Sequence, residues 1–499
     1  MAGKSRAGPP LAPGVVTQSA ARLRPAQEVE RVKRTYVFGL IAAMMMIAAP
    51  PSYAARARFQ RMVVVGDSIL AGFGSGGFVN TGPVGQTFSA PAYVARRAGV
   101  SLPQPLMTKP GVPAPLVIDD VNGNGQLDPG EVRRTTDAIG TRARPIRVAR
   151  NLAVPGEDLS SVFDEISPGV IAKNLFTGDQ VDGRDVLKFL VLGVPPRDGS
   201  VSQVTSAQDL DPSFVMLWIG NNDVLDMATQ TNPDAVTLDP SQFDNRFRRL
   251  LNALADTNAG MAVANLPDVT GIAALRHAGT EVTTCRQADG TSRAVAPDDL
   301  LSIDLPRSEL PVPPCSEILG PVERDRIRAT IMSLNAVIAA AVADTEQRRG
   351  VAIAQVDTFT LFDQLRSQGF DVDGNGTADI STGYLAGIFS LDGIHPTRTG
   401  NALIANAFID AIDQRFGETI PRVNIARVAA RDPLVGNRFR PAGEPPFGVI
   451  GDDNTNDLSG FFSDVFDRVS NGAKSFRSDT VGTGKDLFGR IKRFFKDLF

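Results

Sequence analysis

Two histidines, two cysteines and one tryptophan among 499 residues leave little material for imidazole or thiolate chemistry. A structural zinc site usually takes four Cys or His ligands, so a zinc-built fold is excluded. Any mechanism that needs an imidazole must draw on His277 or His395. So few cysteines also exclude a disulfide-framework protein, and a 42% hydrophobic composition excludes a disordered or collagenous one. Basic charge is not in excess either. Lys and Arg number 51 against 55 Asp and Glu, a net of -4, which gives no electrostatic footprint for nucleic acid.

What is present begins with a leader. Lys33 and Arg34 precede an uncharged stretch of 14 residues, Tyr36 to Ala49, followed by Pro50, Pro51, Ser52, Tyr53 and Ala54. A bilayer span needs roughly 20 apolar residues, so the layout predicts a signal peptide with an N-terminal extension over 1–54, the other reading being an uncut anchor. Cleavage after Ala54 would remove seven basic and two acidic side chains, leaving 44 against 53 and a net charge of -9. An exported acidic protein follows: periplasmic, cell-surface or secreted. An oxidising compartment favours a disulfide between Cys285 and Cys315.

Buried-strand runs are expected at Arg61 to Val65, Phe214 to Ile219, Met261 to Asn265 and Val351 to Val356. Helical patterns lie between them at Phe243 to Ala255, Val322 to Ala343 and Gly400 to Phe416. Alternation of this kind predicts an α/β fold, a three-layer α/β/α sandwich on a mostly parallel sheet. The body is expected over 55–420, decorated by insertions at 101–150, 160–211 and 275–320, with a linker over 421–456 and an amphipathic helical tail over 457–499.

Three polar turns follow strand ends or precede a helix. Gly66-Asp67-Ser68-Ile69 closes the first strand, where ligands of parallel sheets bind, and Ser68 can present a hydroxyl and a backbone N–H. Gly220-Asn221-Asn222-Asp223 closes the second, where an Asn carboxamide can donate to a developing oxyanion. Asp392-Gly393-Ile394-His395-Pro396 precedes the last helix. Asp and His three apart can set a carboxylate against one imidazole nitrogen while the other faces a serine. Each turn alone is also a common capped or Asx turn.

Together with Asn151-Leu152-Ala153-Val154-Pro155-Gly156 and Asn265-Leu266-Pro267-Asp268, these blocks resemble the GDSL esterase/lipase family, also called SGNH hydrolases. They stand in the family's order from residue 61 to about 416, with Ile69 where the family name has Leu. The resemblance implies Ser68 as nucleophile, His395 as general base and Asp392 as its orienter. It implies oxyanion donors at the backbone N–H of Ser68 and Gly156 and the side chain of Asn222. The expected function is an exported serine ester hydrolase acting on acyl esters, lipids among them, with activity that falls as His395 becomes protonated. Two other readings stay open: a carbohydrate O-deacetylase on the same fold, and a non-catalytic calcium-dependent surface-binding protein. His277 has no Asp or Ser motif beside it and reads as a surface histidine.

Catalysis of this kind calls on no cofactor, and calcium would be structural. The stretch 120–131 matches a twelve-residue calcium loop through Asp120, Asn122, Asn124, Gln126, Asp128 and Glu131. A second copy offers Asp371, Asp373, Asn375, Thr377 and Asp379, but Thr382 replaces the bidentate Glu, so weak binding is expected. In the tail, Leu487, Phe488, Ile491, Phe494, Phe495 and Leu498 form a helical stripe backed by five basic and two acidic residues over 485–499. This is either a peripheral membrane contact or a helix that docks on the protein's own core.

Overall fold

The strands form where β-branched and apolar residues run without interruption. In the computed structural model, which describes residues 58–435 apart from 83, 120–130, 135, 178, 180, 195–198, 230–237, 280–281 and 303–311, four such runs build one sheet. They are β1 (Met62–Gly66), β2 (Phe214–Trp218), β3 (Gly260–Ala264) and β4 (Ile353–Val356), side by side in that order and all parallel. Met62 pairs with Phe214 and Gly66 with Trp218, so β1 and β2 end level. The leader 1–54, the tail 457–499 and residues 120–130 of the first calcium loop lie outside the described residues.

Helices fill the connections. In chain order they are α1 (Ser68–Ala71), α2 (Ala90–Arg97), α3 (Pro168–Thr177), α4 (Gly183–Leu192), α5 (Gln203–Asp209) and α6 (Asn221–Thr229). They continue with α7 (Pro240–Ala255), α8 (Pro321–Arg349), α9 (Thr358–Gln368), α10 (Arg398–Phe416) and α11 (Ile425–Ala429). Every residue of β1 and β2 is buried, as expected for a parallel sheet covered on both faces. Along β2, Phe214 and Trp218 point to α10, meeting Phe416 and Phe408 at ring distances of 5.6 and 6.4 Å. The other layer is formed by α5, α7 and α8, which pack on one another and, through α5, on β1. Fully burying such side chains is worth roughly 1.5–3 kcal/mol each, which makes this interior the main stabilising element.

Residues 150–154 add a fifth extended segment to the free side of β1. Val64 N–H donates to Arg150 O at 2.8 Å, Leu152 N–H to Val64 O at 2.9 Å and Val154 N–H to Gly66 O at 3.1 Å, a parallel ladder. Glycine is required at the end of β1, because a Cβ on Gly66 would lie 2.4 Å from the Trp218 carbonyl oxygen. Its own N–H and C=O are both held at 3.0 Å by the carboxamide of Gln203 on α5. The first-strand turn is thereby fixed from both neighbours.

Two boundary expectations change. The segment 160–211 is not a decoration: Val186, Leu187, Phe189 and Val191 of α4 belong to the main core, and α5 packs on β1. Of the linker expected over 421–456, the described part 421–435 packs on the body: Asn406 on α10 exchanges hydrogen bonds with both backbone groups of Val423 at 2.7 and 3.1 Å. Asp432, also buried, caps the start of α10 through Thr399 N–H and Oγ, both at 2.8 Å. The segment 275–320 contributes Leu275, Leu300 and Leu319 to the main core. It has a small antiparallel sheet, its own cluster of Val282, Cys285, Leu301 and Ile318, and a disulfide joining Cys285 to Cys315.

Candidate active site

Asp67 caps α1 by accepting from Ile69 N–H at 3.0 Å, so Ser68 becomes the first helical residue directly beyond β1. Ser68 is nearly enclosed at 3% exposure. Its Oγ lies 2.9 Å from Nε2 of His395, whose Nδ1 lies 3.0 Å from Oδ2 of Asp392. With the imidazole proton on Nδ1, the ring donates to Asp392 and accepts from the Ser68 hydroxyl. The face of the ring packs against Phe73 at 4.8 Å.

Asp392 is held by its surroundings. Oδ1 accepts from the N–H groups of Ile394 and His395 at 2.9 and 2.8 Å and from Ser390 Oγ at 3.2 Å, and Oδ2 accepts from Gly76 N–H at 2.5 Å. Burial alone would raise its carboxyl. The charge and hydrogen bonds of His395, with the Ile394 N–H, hold it below the ordinary carboxylate value. It therefore stays ionised beside the imidazole.

Asn222, the second residue of α6, lines the same cleft, and its Nδ2 donates to Glu157 O at 2.6 Å. Glu157 follows Gly156, whose φ of 82° is the left-handed conformation that glycine adopts without strain. The turn carrying the Gly156 N–H is thus tied to the Asn222 carboxamide. Beside them Asn221 Nδ2 donates to Asp67 Oδ2 at 2.7 Å, which links the Ser68 turn to α6. Burial pushes the Asp67 carboxyl up to about 6, against the hydrogen bonds from Asn221 and Ile69 and the charge of His395.

The cleft has about 680 Å³ of space, its open mouth included, and takes in Ser68, Asn222 and His395. Ile69, Leu225, Val269, Ile272, Phe362 and Phe389 give it an apolar wall, with Phe362 and Phe389 stacked at 5.9 Å. One edge is charged. Asp268 is buried there and accepts from Arg328 at 2.5 Å and Arg366 at 3.2 Å.

The remaining expected residues lie elsewhere. Glu131 is buried at the start of a two-residue strand, Val132–Arg133. Asp371, Asp373 and Asp379 bring carboxylate oxygens within 4.8 Å of one another, while Asn375 and Thr377 form the exposed tip of that loop. Gly374, Asn375 and Gly376 donate their N–H groups to Asp371, and Thr382 is buried behind the loop. These three carboxylates lie close enough to share one cation, and Thr382 stands where a calcium loop has its bidentate Glu. His277 is exposed on the disulfide-bearing segment, with Nδ1 3.2 Å from Asp298 O.

Sequence reasoning missed Asp67, Asn221, Gln203 and Glu157, which hydrogen-bond around the site, and Lys188, the buried ion-pair partner of Glu157. Asp67, Asn221 and Glu157 sit inside or beside the polar turns that border the strands. Gln203 and Lys188 carry no local signal, because their partners are 137 and 31 residues away in sequence.

A family model described as GDSL-like lipase/acylhydrolase matches residues 62–408. Among solved structures, LAE5, an α/β hydrolase enzyme from the metagenome of Lake Arreo, Spain, is similar at 14% identity and a TM-score of 0.29, over 70% of this chain and 93% of that chain. No curated protein matches the sequence.

Proposed function

The chain belongs to the GDSL-like lipase/acylhydrolase family, hydrolases of ester substrates, and on that premise we propose that it is an exported serine esterase for esters of apolar acyl groups. The observation that carries the proposal is the continuous chain Ser68 Oγ, His395 Nε2, His395 Nδ1, Asp392 Oδ2, at 2.9 and 3.0 Å. Ser68 Oγ attacks the ester carbonyl carbon as its proton passes to His395 Nε2. The oxyanion accepts from the N–H of Ser68 and Gly156 and from the Asn222 carboxamide, donors set before the charge develops. His395 then protonates the leaving alkoxide. Water attacks the acyl-enzyme with the same proton path and releases the carboxylic acid.

The apolar wall of the cleft favours an acyl chain over an acetyl group on a sugar. Export is supported by the leader layout and by the Cys285–Cys315 disulfide. The decisive assay compares wild type and Ser68→Ala on p-nitrophenyl esters of graded chain length. Ser68→Ala is expected to lose about 10³-fold or more in kcat, with wild type more active on longer acyl chains than on acetate. Equal activity in both proteins would remove the hydrolase assignment to this site. An acetyl-only profile would turn the reading to a deacetylase.

A further inference from the structure

Outside the Ser68–His395–Asp392 chain the site holds a second buried charged group that the proposed mechanism does not use. Glu157 and Lys188 form an ion pair at 3.1 Å with side chains 3% and 5% exposed. The Lys188 ammonium, on α4, also donates to Ser161 O at 2.9 Å and Asp164 O at 3.2 Å, so all three of its protons are used across the segment 157–164. Glu157 in turn is bound to both expected side donors of the oxyanion. It follows Gly156 directly in the chain, and its carbonyl oxygen accepts from Asn222 Nδ2. A second tie from α6, Leu159 N–H donating to Asp223 Oδ2 at 2.9 Å, holds the same turn from outside.

A buried ion pair is rarely the most stable way to fill such space; apolar residues of similar volume commonly serve as well or better. What the pair supplies is a fixed geometry. Directed bonds pin the turn where an apolar contact would let it slide, and an error of about 1 Å at reacting groups can cost about a hundredfold in rate. Resting on the serine esterase reading above, we propose that Glu157 and Lys188 are positioning residues that set the Gly156 N–H and the Asn222 carboxamide for the oxyanion. The segment that supplies Lys188 would thereby belong to the catalytic design.

The test uses the full chain with Lys188→Met, which keeps length and loses charge, and Glu157→Gln, which is isosteric. Lys188→Met is expected to lower kcat on a p-nitrophenyl ester about ten- to a hundredfold with KM within about twofold. Affinity for an alkyl boronic acid, which forms a tetrahedral adduct on the serine, should fall by the same factor. A folded Lys188→Met with wild-type kcat overturns the proposal. So does a loss of kcat with unchanged boronic acid affinity, since that marks a merely structural effect. Should Lys188→Met not fold, Glu157→Gln carries the same comparison, and wild-type kcat or unchanged boronic acid affinity in that variant overturns the proposal in the same way. Ser68→Ala separates the levels. If it retains activity the esterase reading itself falls; if it is inactive while both pair variants are fully active, only this inference falls.

Discussion

Asp67 stands between Gly66 and Ser68 with its carboxylate wholly buried, accepting from Ile69 N–H and Asn221 Nδ2. Its carboxyl rises from 3.8 to about 6, so the folded state holds that proton more tightly than the unfolded chain does. The stabilisation is therefore full below pH 3.8 and is lost as pH rises through about 6, amounting to about 3 kcal/mol. Above that pH the ionised carboxylate faces His395. In Asp67→Asn the charge goes, and the Asn221 carboxamide can flip to turn its unpaired Oδ1 toward the new amide. Urea unfolding at pH 4.5 and 7.5 is expected to show that the variant lacks about 2–3 kcal/mol of the wild-type decline with pH. Its kcat should fall several-fold, as the imidazolium loses a nearby negative charge. At this scale the side chains that the candidate site brings together were legible, because Ser68, Asn222, Asp392 and His395 stand in polar turns bordering apolar runs. Their supports were not. A buried Lys or Gln whose partner lies far along the chain leaves no mark on its own neighbourhood.

The four strands were equally legible as elements, each within a residue or two of its expected run, since a fully buried strand is a short uninterrupted apolar block. Unmarked as a strand was 150–154, too short and too close to Pro155-Gly156 to stand out, and the expectation of a decorating insertion was misplaced over 160–211. There the polar, Pro- and Gly-bearing flanks masked α4, whose residues from Val186 to Leu192 are all buried although Arg184, Asp185 and Lys188 interrupt its apolar run. The segment 275–320 behaves otherwise: Leu275, Leu300 and Leu319 join the main core, while Val282, Cys285, Leu301 and Ile318 form a small cluster of their own. Its disulfide spans 30 residues, and closing a loop of that size is worth about 3.5 kcal/mol in the chain-entropy model. Replacing both Cys285 and Cys315 by Ala is expected to lower the unfolding free energy of this segment by about 3 kcal/mol. Limited proteolysis should then cut within 275–320 first, while kcat stays within about twofold, because neither cysteine lines the cleft. A tenfold loss of kcat would instead couple the segment to catalysis.

Across the whole molecule the site depends on where the body ends. His395 and Pro396 lead through the Thr397 cap into α10, whose Thr399 is held by Asp432 and whose Asn406 is held by Val423. A chain cut after Ile420 loses all four of those hydrogen bonds and leaves the Asn406 carboxamide and the Thr399 N–H buried without their partners. Each such orphaned group costs about 1–3 kcal/mol. A chain cut after Val435 keeps every one of them and also α11, which packs on α10. The two truncations should therefore separate sharply. The chain ending at Val435 is expected to retain wild-type kcat and melting temperature within about 2 °C, and the one ending at Ile420 to lose about 3–5 kcal/mol of stability and with it the order of the His395 turn. Thermal melts with p-nitrophenyl ester assays on both proteins give the answer, and identical behaviour would show that 421–435 is dispensable. The contrast also fixes the control for the amphipathic tail. Liposome co-sedimentation of the full chain against the chain ending at Val435 tests residues 436–499 alone, whereas a cut at 420 would confound loss of the tail with damage to α10.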